Sequence, residues 1–548
     1  MKNIFHPMLF SDLKSYSKKQ FGLDLISGII VAVIALPLSI ALAIASGVAP
    51  EAGIYTAIIA GFLTAVFGGS SVQIAGPTAA FATIVAGIVA KNGTDGLMIA
   101  TIMAGIILII MGCLKLGNLI RFIPFTITTG FTFGIAVTLL IGQLKDFFGV
   151  TYQNGESPIE TIEKLKAFFV NVTTVNWQAI VVGAVCLAIL IIWPKIFDKI
   201  PASLIAIAAA IAMVVGFDME VNTIGDLFTV SGKLPTLHVP QMSFSTVVTL
   251  LPDALTIAVL AGIESLLSCV VADGMIGKHH RSNTELIGQG IANLGSALFG
   301  GIPATGAIAR TAANIKNGGR TPVSGIVHSV VLLIVLVALM PYAAYIPMPA
   351  IAAILISVAY NMCQWRQFVN LLKTAPKSDV LVMVSTFLLT VVFDLVVAIE
   401  VGIIMACVLF MKRMSEETRI KSWKYTDITD DESDESLMTV PKHISVYELN
   451  GPLFFAVSDQ LRTIRTKPFT TCVILRMGAV PMMDTDAIRQ IKKFVDDCHK
   501  SGITVILSHV NAQPMKAIKK AGLYQIIGSE NFCKNIDHAM RRAKRIDA

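Results

Sequence analysis

The chain has 548 residues, enough for roughly three or four soluble domains, but 54% of them are hydrophobic and only 14% charged, with a mean hydropathy of +0.73. That composition excludes a wholly water-soluble protein. The formal charge of +7 does not mark a nucleic-acid binder, because most basic residues of the first part sit in short loops between apolar runs. Charge is also unevenly placed: residues 1–413 carry 23 Lys/Arg and 19 Asp/Glu, and 414–548 carry the other 20 and 17. The pattern predicts a membrane domain over 1–413, an acidic linker over 414–436 and a soluble domain over 437–548.

Polar residues precede Leu23, so the first apolar run is expected to be retained rather than cleaved. Apolar runs bounded by charges or by Gly/Pro fall at 23–46, 52–69, 76–90, 97–114, 122–142, 178–194, 201–217, 254–272, 284–300, 304–316, 322–341, 346–363, 379–396 and 398–412, giving about fourteen spans. With a cytoplasmic N-terminus, seventeen Lys/Arg lie in inner loops and tails, from Lys2 through Arg121, Lys199 and Lys278 to Arg413. Five lie outside: Lys91, Lys145, Lys164, Lys166 and Lys233. This bias places both termini in the cytoplasm. The eight cysteines show no CxxC pair and no cluster with His, which predicts free thiols, no disulfide framework and no metal site.

Two runs, 76–90 and 304–316, are too short to span, and each is third in its half of seven. Each opens on a helix-breaking signal: Gln73-Ile74-Ala75-Gly76-Pro77-Thr78 and Gly300-Gly301-Ile302-Pro303-Ala304-Thr305-Gly306. Seven crossings per half give the halves opposite topology, and matched interrupted segments point to the binding site of an inverted-repeat transporter. Two half-helices then begin near the bilayer midplane, each offering unpaired N–H groups and the positive end of its dipole, for which an anion is the natural occupant. The preceding Ser71–Ala75 and Phe299–Ile302 read as short extended pieces shielded by protein; simple helix kinks are the bland alternative.

Few charges survive inside the spans. Glu264, mid-span, is costly when charged; it reads either as a proton or coupling-ion group or as a structural acceptor beside a backbone break. Ser268 lies one turn on and joins it as a candidate for the coupling ion. Arg310 reads either as a positive charge beside the anion or as the partner of a carboxylate. Asp273 reads as a solvated helix end, Asp394 and Glu400 as loop residues between the last two spans, and His328 as a satisfied core histidine.

Beyond the acidic linker (Glu416, Glu417, Asp427, Asp430, Asp431, Glu432, Asp434 and Glu435), strands are expected at Ile444–Leu449, Cys472–Arg476 and Ile503–Ser508, and helices at Thr485–His499 and Pro514–Ala521. Alternating strands and helices predict a small α/β domain. No nucleotide-binding cradle is present to drive primary transport.

The stretches Glu264-Ser265-Leu266-Leu267, Glu285-Leu286-Ile287-Gly288-Gln289-Gly290-Ile291-Ala292-Asn293 and Ile302-Pro303-Ala304-Thr305-Gly306-Ala307-Ile308-Ala309-Arg310-Thr311 resemble the sulfate permease (SulP) family. The likeness runs over essentially the whole chain, including Ala35-Leu36-Pro37-Leu38 and a C-terminal STAS domain. It implies a helical 7+7 inverted repeat with uracil-transporter-like core and gate domains, a homodimer in the cell inner membrane, and a non-enzymatic transporter. It also implies an anion site at Ala75, Gly76, Pro77 and Thr78 with Thr305, Gly306, Ala307, Ile308, Ala309 and Arg310, and coupling through Glu264. Where many animal members have Ser before the basic residue of the tenth segment, this chain has Ala309, and Pro37-Leu38-Ser39 replaces the Pro-Gln-Gly of sulfate-type members. The wording Ala35-Leu36-Pro37-Leu38 looks closest to the bacterial C4-dicarboxylate (aspartate and succinate) branch, which implies proton-coupled uptake of dicarboxylates. Bicarbonate or sulfate transport coupled to H⁺ or Na⁺, an uncoupled channel or exchanger, and a sensor or scaffold are the other readings. In the STAS loop, Asp486 stands where anti-anti-sigma factors carry a phosphorylated Ser, which implies an assembly or regulatory module that binds a cytoplasmic regulator. No cofactor is implied.

Overall fold

The computed structural model describes residues 5–118, 124–152, 158, 160–197, 200–241, 243–393, 395–422, 441, 443–456, 464 and 469–546. The chain divides into two compact units, Met1–Ile403 and Ile404–Ala548. Arg121, Lys199, Asp394 and the linker acids Asp427, Asp430, Asp431, Glu432, Asp434 and Glu435 lie outside the described residues.

In chain order the first unit contains α1 (Lys18–Ala45), α2 (Pro50–Phe67), β1 (Ala75–Gly76), α3 (Ala79–Cys113), α4 (Phe125–Gly142), α5 (Trp177–Ile196) and α6 (Ala202–Gly216). There follow α7 (Phe244–Ile276), α8 (Ser282–Leu298), β2 (Thr305–Gly306), α9 (Ile308–Lys316), α10 (Val323–Leu339), α11 (Met348–Cys363) and α12 (Lys377–Val392). Helix α13 (Leu395–Glu417) contains the division between the units. Local chemistry sets several ends. Ser17 caps α1 by accepting from the Gln20 N–H at 3.2 Å, Pro50 opens α2 where its missing N–H costs nothing, and α7 stops on Gly277 at φ 67°.

Every predicted span falls on a helix, yet among the described residues only eight helical stretches are long and apolar enough to cross a membrane. The reasons are specific. Predicted spans 76–90 and 97–114 are the two helical arms of α3, which meet at Gly93, whose φ of 68° and ψ of −175° are not helical and suit glycine. The 304–316 run becomes helical only at Ile308, leaving the nine residues of α9. Helix α8 has 17 residues and a buried polar stripe. Glu400, expected in a loop, lies inside α13, because no Gly or Pro interrupts the chain between Leu395 and Val401.

Close approach of backbones holds the helices together, as small residues do in lipid. A Cβ at Gly105 of α3 would sit 2.7 Å from the Gly290 carbonyl of α8, and one at Gly290 would sit 2.5 Å from the Gly105 carbonyl. The fully buried Asp24 accepts from the Arg320 N–H at 2.9 Å and the Thr321 hydroxyl at 2.6 Å, tying α1 to the start of α10.

The second unit is an α/β domain. Strands β3 (Arg419–Ser422), β4 (Ile444–Asn450), β5 (Cys472–Ala479), β6 (Thr504–Ser508) and β7 (Phe532–Cys533) form one sheet in sequence order, with β3 antiparallel to β4 and the remaining pairs parallel. Helices α14 (Thr485–Lys500) and α15 (Ala512–Lys520) cover one face over Val473, Leu475, Val505 and Leu507; α16 (Ile536–Ile546) covers the other over Ile474 and Ile506. Three of these elements had no counterpart in the sequence reading. Strands β3 and β7 are too short to show alternation, and α16 fully buries just Ala539, Met540 and Ala543, with Ile536 and Ile546 half-buried at its two ends. Glu416 and Glu417 close α13 rather than opening a linker.

Candidate functional site

Both backbone breaks predicted from Gly and Pro are present, and the structure joins them. Strands β1 and β2 pair antiparallel, with Ala75 opposite Gly306 and Gly76 opposite Thr305. Pro77 and Thr78 lead from β1 into α3, and Ala307 leads from β2 into α9. Two helices therefore start close together from one short ladder and run in opposite chain directions. Neither Thr78 nor Ala307 caps its helix through a side chain, which leaves first-turn N–H groups open to a ligand. Ala75, Gly76, Pro77, Thr78, Thr305, Gly306 and Ala307 are buried, whereas Ile308 and Ala309 are exposed at the lip of the site.

Arg310 points back across the ladder. It is 1% exposed, and its Nη2 donates to the Pro77 carbonyl at 2.8 Å. Its Nε and Nη1 have no hydrogen-bond partner among the described residues, and a Cβ on Gly76 would collide with Nη1. Buried donors without partners are rare in native proteins and ask for an explanation. Glu264 of α7 is half-buried, and its Oε2 accepts from the Thr78 hydroxyl at 3.0 Å. Its acceptor role therefore falls on the residue that opens the α3 half-helix. Ser268 is displaced from this group: its hydroxyl donates to Thr311 Oγ1 of α9 at 3.4 Å.

Side chains take up the main-chain groups that the ladder leaves over. Thr56 Oγ1 accepts from the Ile302 N–H at 2.7 Å, and Thr311 Oγ1 accepts from the Ile74 N–H at 3.1 Å. Asn293 both donates to and accepts from Ala304, each at 2.9 Å, and Asn314 donates to the Val72 carbonyl at 2.9 Å. Ser265 accepts from the Gly306 N–H at 3.0 Å and shares a 2.7 Å hydrogen bond with Thr305.

Sequence reasoning missed Glu285 as a site residue. It is fully buried in α8 and accepts from the Gly69 N–H at 2.7 Å and from the Gln73 and Gln289 amides, both at 3.0 Å. Gln73 in turn donates to the Ser265 carbonyl at 3.2 Å, and its amide fills the space that a side chain at Gly306 would need. The signal was present: Glu285, Gln289 and Asn293 recur every four residues and so share one helix face.

Three further expectations are corrected. His328 is buried, as expected of a core histidine, but both its ring nitrogens lack a hydrogen-bond partner among the described residues. Asp273 accepts from the His280 N–H at 3.0 Å and pairs with His280 Nδ1 at 2.8 Å, so it closes the turn after α7 instead of standing free in solvent. Ala35 and Pro37 are buried in α1, and Leu36 and Leu38 pack on the apolar cluster around Ile40 and Leu336. The Ala-Leu-Pro-Leu stretch is therefore packed within the helices of the first unit.

The profile described as "Sulfate permease family" matches residues 21–386, and that described as "STAS domain" matches 436–539. YvdB of Bacillus subtilis (strain 168), named as a candidate sulfate transporter, is 40% identical over 96% of this chain and 98% of its own length. The bicarbonate transporter BicA of Picosynechococcus is 32% identical over 95% of this chain and 94% of its own. Among solved structures, the transmembrane domain of a cyanobacterial bicarbonate transporter BicA aligns with a TM-score of 0.63 at 32% identity, over 70% of this chain and 98% of that one. The murine Solute Carrier 26 family member A9 anion transporter, in its inward-facing state, aligns with a TM-score of 0.88 at 18% identity over 98% and 94%, a likeness of fold alone. The chain belongs to the sulfate permease family. These relatives carry sulfate and bicarbonate names and do not support the dicarboxylate branch.

Proposed function

We propose that this member of the sulfate permease family is a secondary active transporter of a small oxyanion, bound between the starts of α3 and α9, with bicarbonate the first candidate and sulfate the second. The observation that carries the reading is the β1–β2 ladder: two uncapped helix N-termini leave it beside a buried Arg310 with two unpartnered nitrogens. Each helix start contributes roughly half a positive charge, and Arg310 contributes one more. Glu264 accepts a hydrogen bond at the start of α3 and opposes that charge only while it is ionised, and we rank bicarbonate ahead of sulfate. Full-length similarity to a bicarbonate transporter supports the same choice.

Coupling follows from the Glu264–Thr78 hydrogen bond. A charged Glu264 sits at the positive end of α3 and competes with the substrate for it. Protonation removes that competing charge, so proton and anion enter together, and loss of the proton on the far side expels the anion. Around this site we propose fourteen crossings as a 7+7 inverted repeat with both termini cytoplasmic, assembled as a homodimer in the inner membrane. The STAS domain serves as a regulatory module.

The test is uptake into proteoliposomes of bicarbonate, sulfate and succinate, with and without Na⁺ and a proton gradient. Wild-type chain accumulates bicarbonate and stops when the proton gradient is dissipated. Glu264→Gln, which cannot cycle a proton, retains counterflow exchange and loses accumulation. Accumulation by Glu264→Gln with wild-type pH response would remove the proton role, and succinate as the preferred substrate would restore the dicarboxylate reading.

A further inference from the structure

A second cationic feature lies away from the ladder. A cavity of about 300 Å³ opens between the ends of α1 and α4, the first turns of α3 and the short helix Thr161–Val170. Its charged wall holds Lys145, Asp146 and Lys164, with Tyr152 beside them. Lys145 lies 5.0 Å above the Tyr152 ring, which orients the ammonium without neutralising it. Neither lysine has a salt-bridge partner within 4.0 Å among the described residues. Lys164 is half-buried, and that burial holds it below the usual lysine range, a penalty that a bound anion would relieve. With Asp146 included, the described residues of the wall carry one net positive charge.

The floor of the cavity is Ala82 and Thr83 of α3. Ala82 is four residues past Thr78, or about 6 Å along the helix axis, so the cavity adjoins the helix whose start forms the proposed central site. In the orientation given by the lysine and arginine bias, this is the outer face.

We propose that this cavity is an outer antechamber in which Lys145 and Lys164 hold a small monoanion before it passes to the ladder. The assignment rests on the anion-transport reading and adds a second, entry-side site to it. A positive cleft with low-dielectric walls concentrates its counter-ion, so the cavity sets the apparent affinity from one side of the membrane without changing turnover.

Two measurements on the full-length chain test this. First, in oriented proteoliposomes, Lys145→Gln/Lys164→Gln raises KM for labelled bicarbonate roughly tenfold from the face bearing these lysines, leaves kcat and the opposite-face KM within about twofold, and is rescued by the Arg/Arg variant. Second, in the wild type, bicarbonate protects Lys145 and Lys164 from a membrane-impermeant amine reagent, as read by mass spectrometry. An unchanged KM, or an equal rise from both faces, together with no protection, overturns the antechamber while leaving the transport reading intact. Protection in a chain that moves neither bicarbonate nor sulfate upholds the cavity as an anion site and overturns the transport reading instead.

Discussion

Helix α8 of the membrane unit and helix α14 of the soluble unit bury residues at the same spacing. In α8 the series is Glu285, Gln289, Asn293 and Ser296; in α14 it is Ala487, Ile491, Val495 and Cys498. Both follow the helical repeat, with opposite chemistry inward. Helix α14 faces a sheet whose main-chain groups are already paired, so apolar area is what it can bury with gain. Helix α8 faces two broken backbones in a medium without water, so its inner stripe must supply the hydrogen bonds that a continuous helix would make for itself. The comparison teaches that polarity at a helical period, inside an apolar chain, marks the shelf on which a site is built.

Removing the centre of the polar stripe has the largest expected effect. Glu285→Ala leaves the Gly69 N–H and the Gln289 amide without this acceptor and the Gln73 amide with only its bond to the Ser265 carbonyl, at about 1–3 kcal/mol for each donor left unpaired. That sum rivals the stability of a typical domain. The expected result is loss of monodisperse protein on size exclusion in detergent. A normal yield with a normal melting temperature would show that the stripe is dispensable.

The matching change in α14 is smaller and local. Ile491 is 1% exposed in the core of the soluble unit, and Ile491→Ala costs about 2–5 kcal/mol there. Limited proteolysis of the full-length chain should then cut within 437–548 while the membrane unit stays intact and keeps transporting. Equal loss of both units would mean that they do not hold separate cores.

The sequence made the first unit's helices legible because apolar runs and Gly/Pro breaks are local signals. The breaks at Gly76-Pro77 and Ile302-Pro303 predicted the non-helical segments, but their antiparallel pairing joins residues more than two hundred positions apart, and no local pattern reports that. Arg310 was legible as an unusual charge; that it reaches the Pro77 carbonyl was not. Glu285 was overlooked because it lies near the start of its helix, where an acid is ordinarily a solvated first-turn residue. In the soluble unit, β4, β5, β6 and α14 were legible from alternation and amphipathic period, whereas β3 and β7 are defined only by their partners.

A pH scan distinguishes the two kinds of interior further. Cys498, 4% exposed on the inner face of α14, has its thiol pushed up to about 11 from 9.0, first by burial and then by the charge of Asp497. Between these values the unfolded chain has lost the proton and the folded chain keeps it, so stability falls as pH rises from about 9 to 11 and then levels off. The rise from 9.0 to about 11 limits the effect to about 3 kcal/mol. Thermal unfolding of the soluble unit, followed in the full-length chain, should show this slope in the wild type and a shallower one in Cys498→Ala. Parallel slopes would place the alkaline sensitivity in other groups.

The smallest expected effect tests whether the start of α14 is held by its cap or by its exposed charge. Asp484 Oδ1 accepts from the Ala487 N–H at 2.9 Å, and its Oδ2 accepts from the Phe455 N–H at 2.8 Å, so one carboxylate fixes both the helix end and the loop beside it. Asp486 instead pairs with Arg489 at 2.9 Å, with both side chains substantially exposed. An exposed pair of this kind contributes about 0–1 kcal/mol, whereas loss of a helix cap costs about 0.5–2 kcal/mol. Asp486→Ser should therefore leave the melting temperature of the soluble unit nearly unchanged, and Asp484→Ala should lower it measurably. The Ser variant also removes the charge at this position, and unchanged transport by it would show that the native Asp486 charge does not set the activity of the membrane unit. A larger loss from Asp486→Ser than from Asp484→Ala would overturn the cap assignment and make the exposed carboxylate the organising group of this helix end.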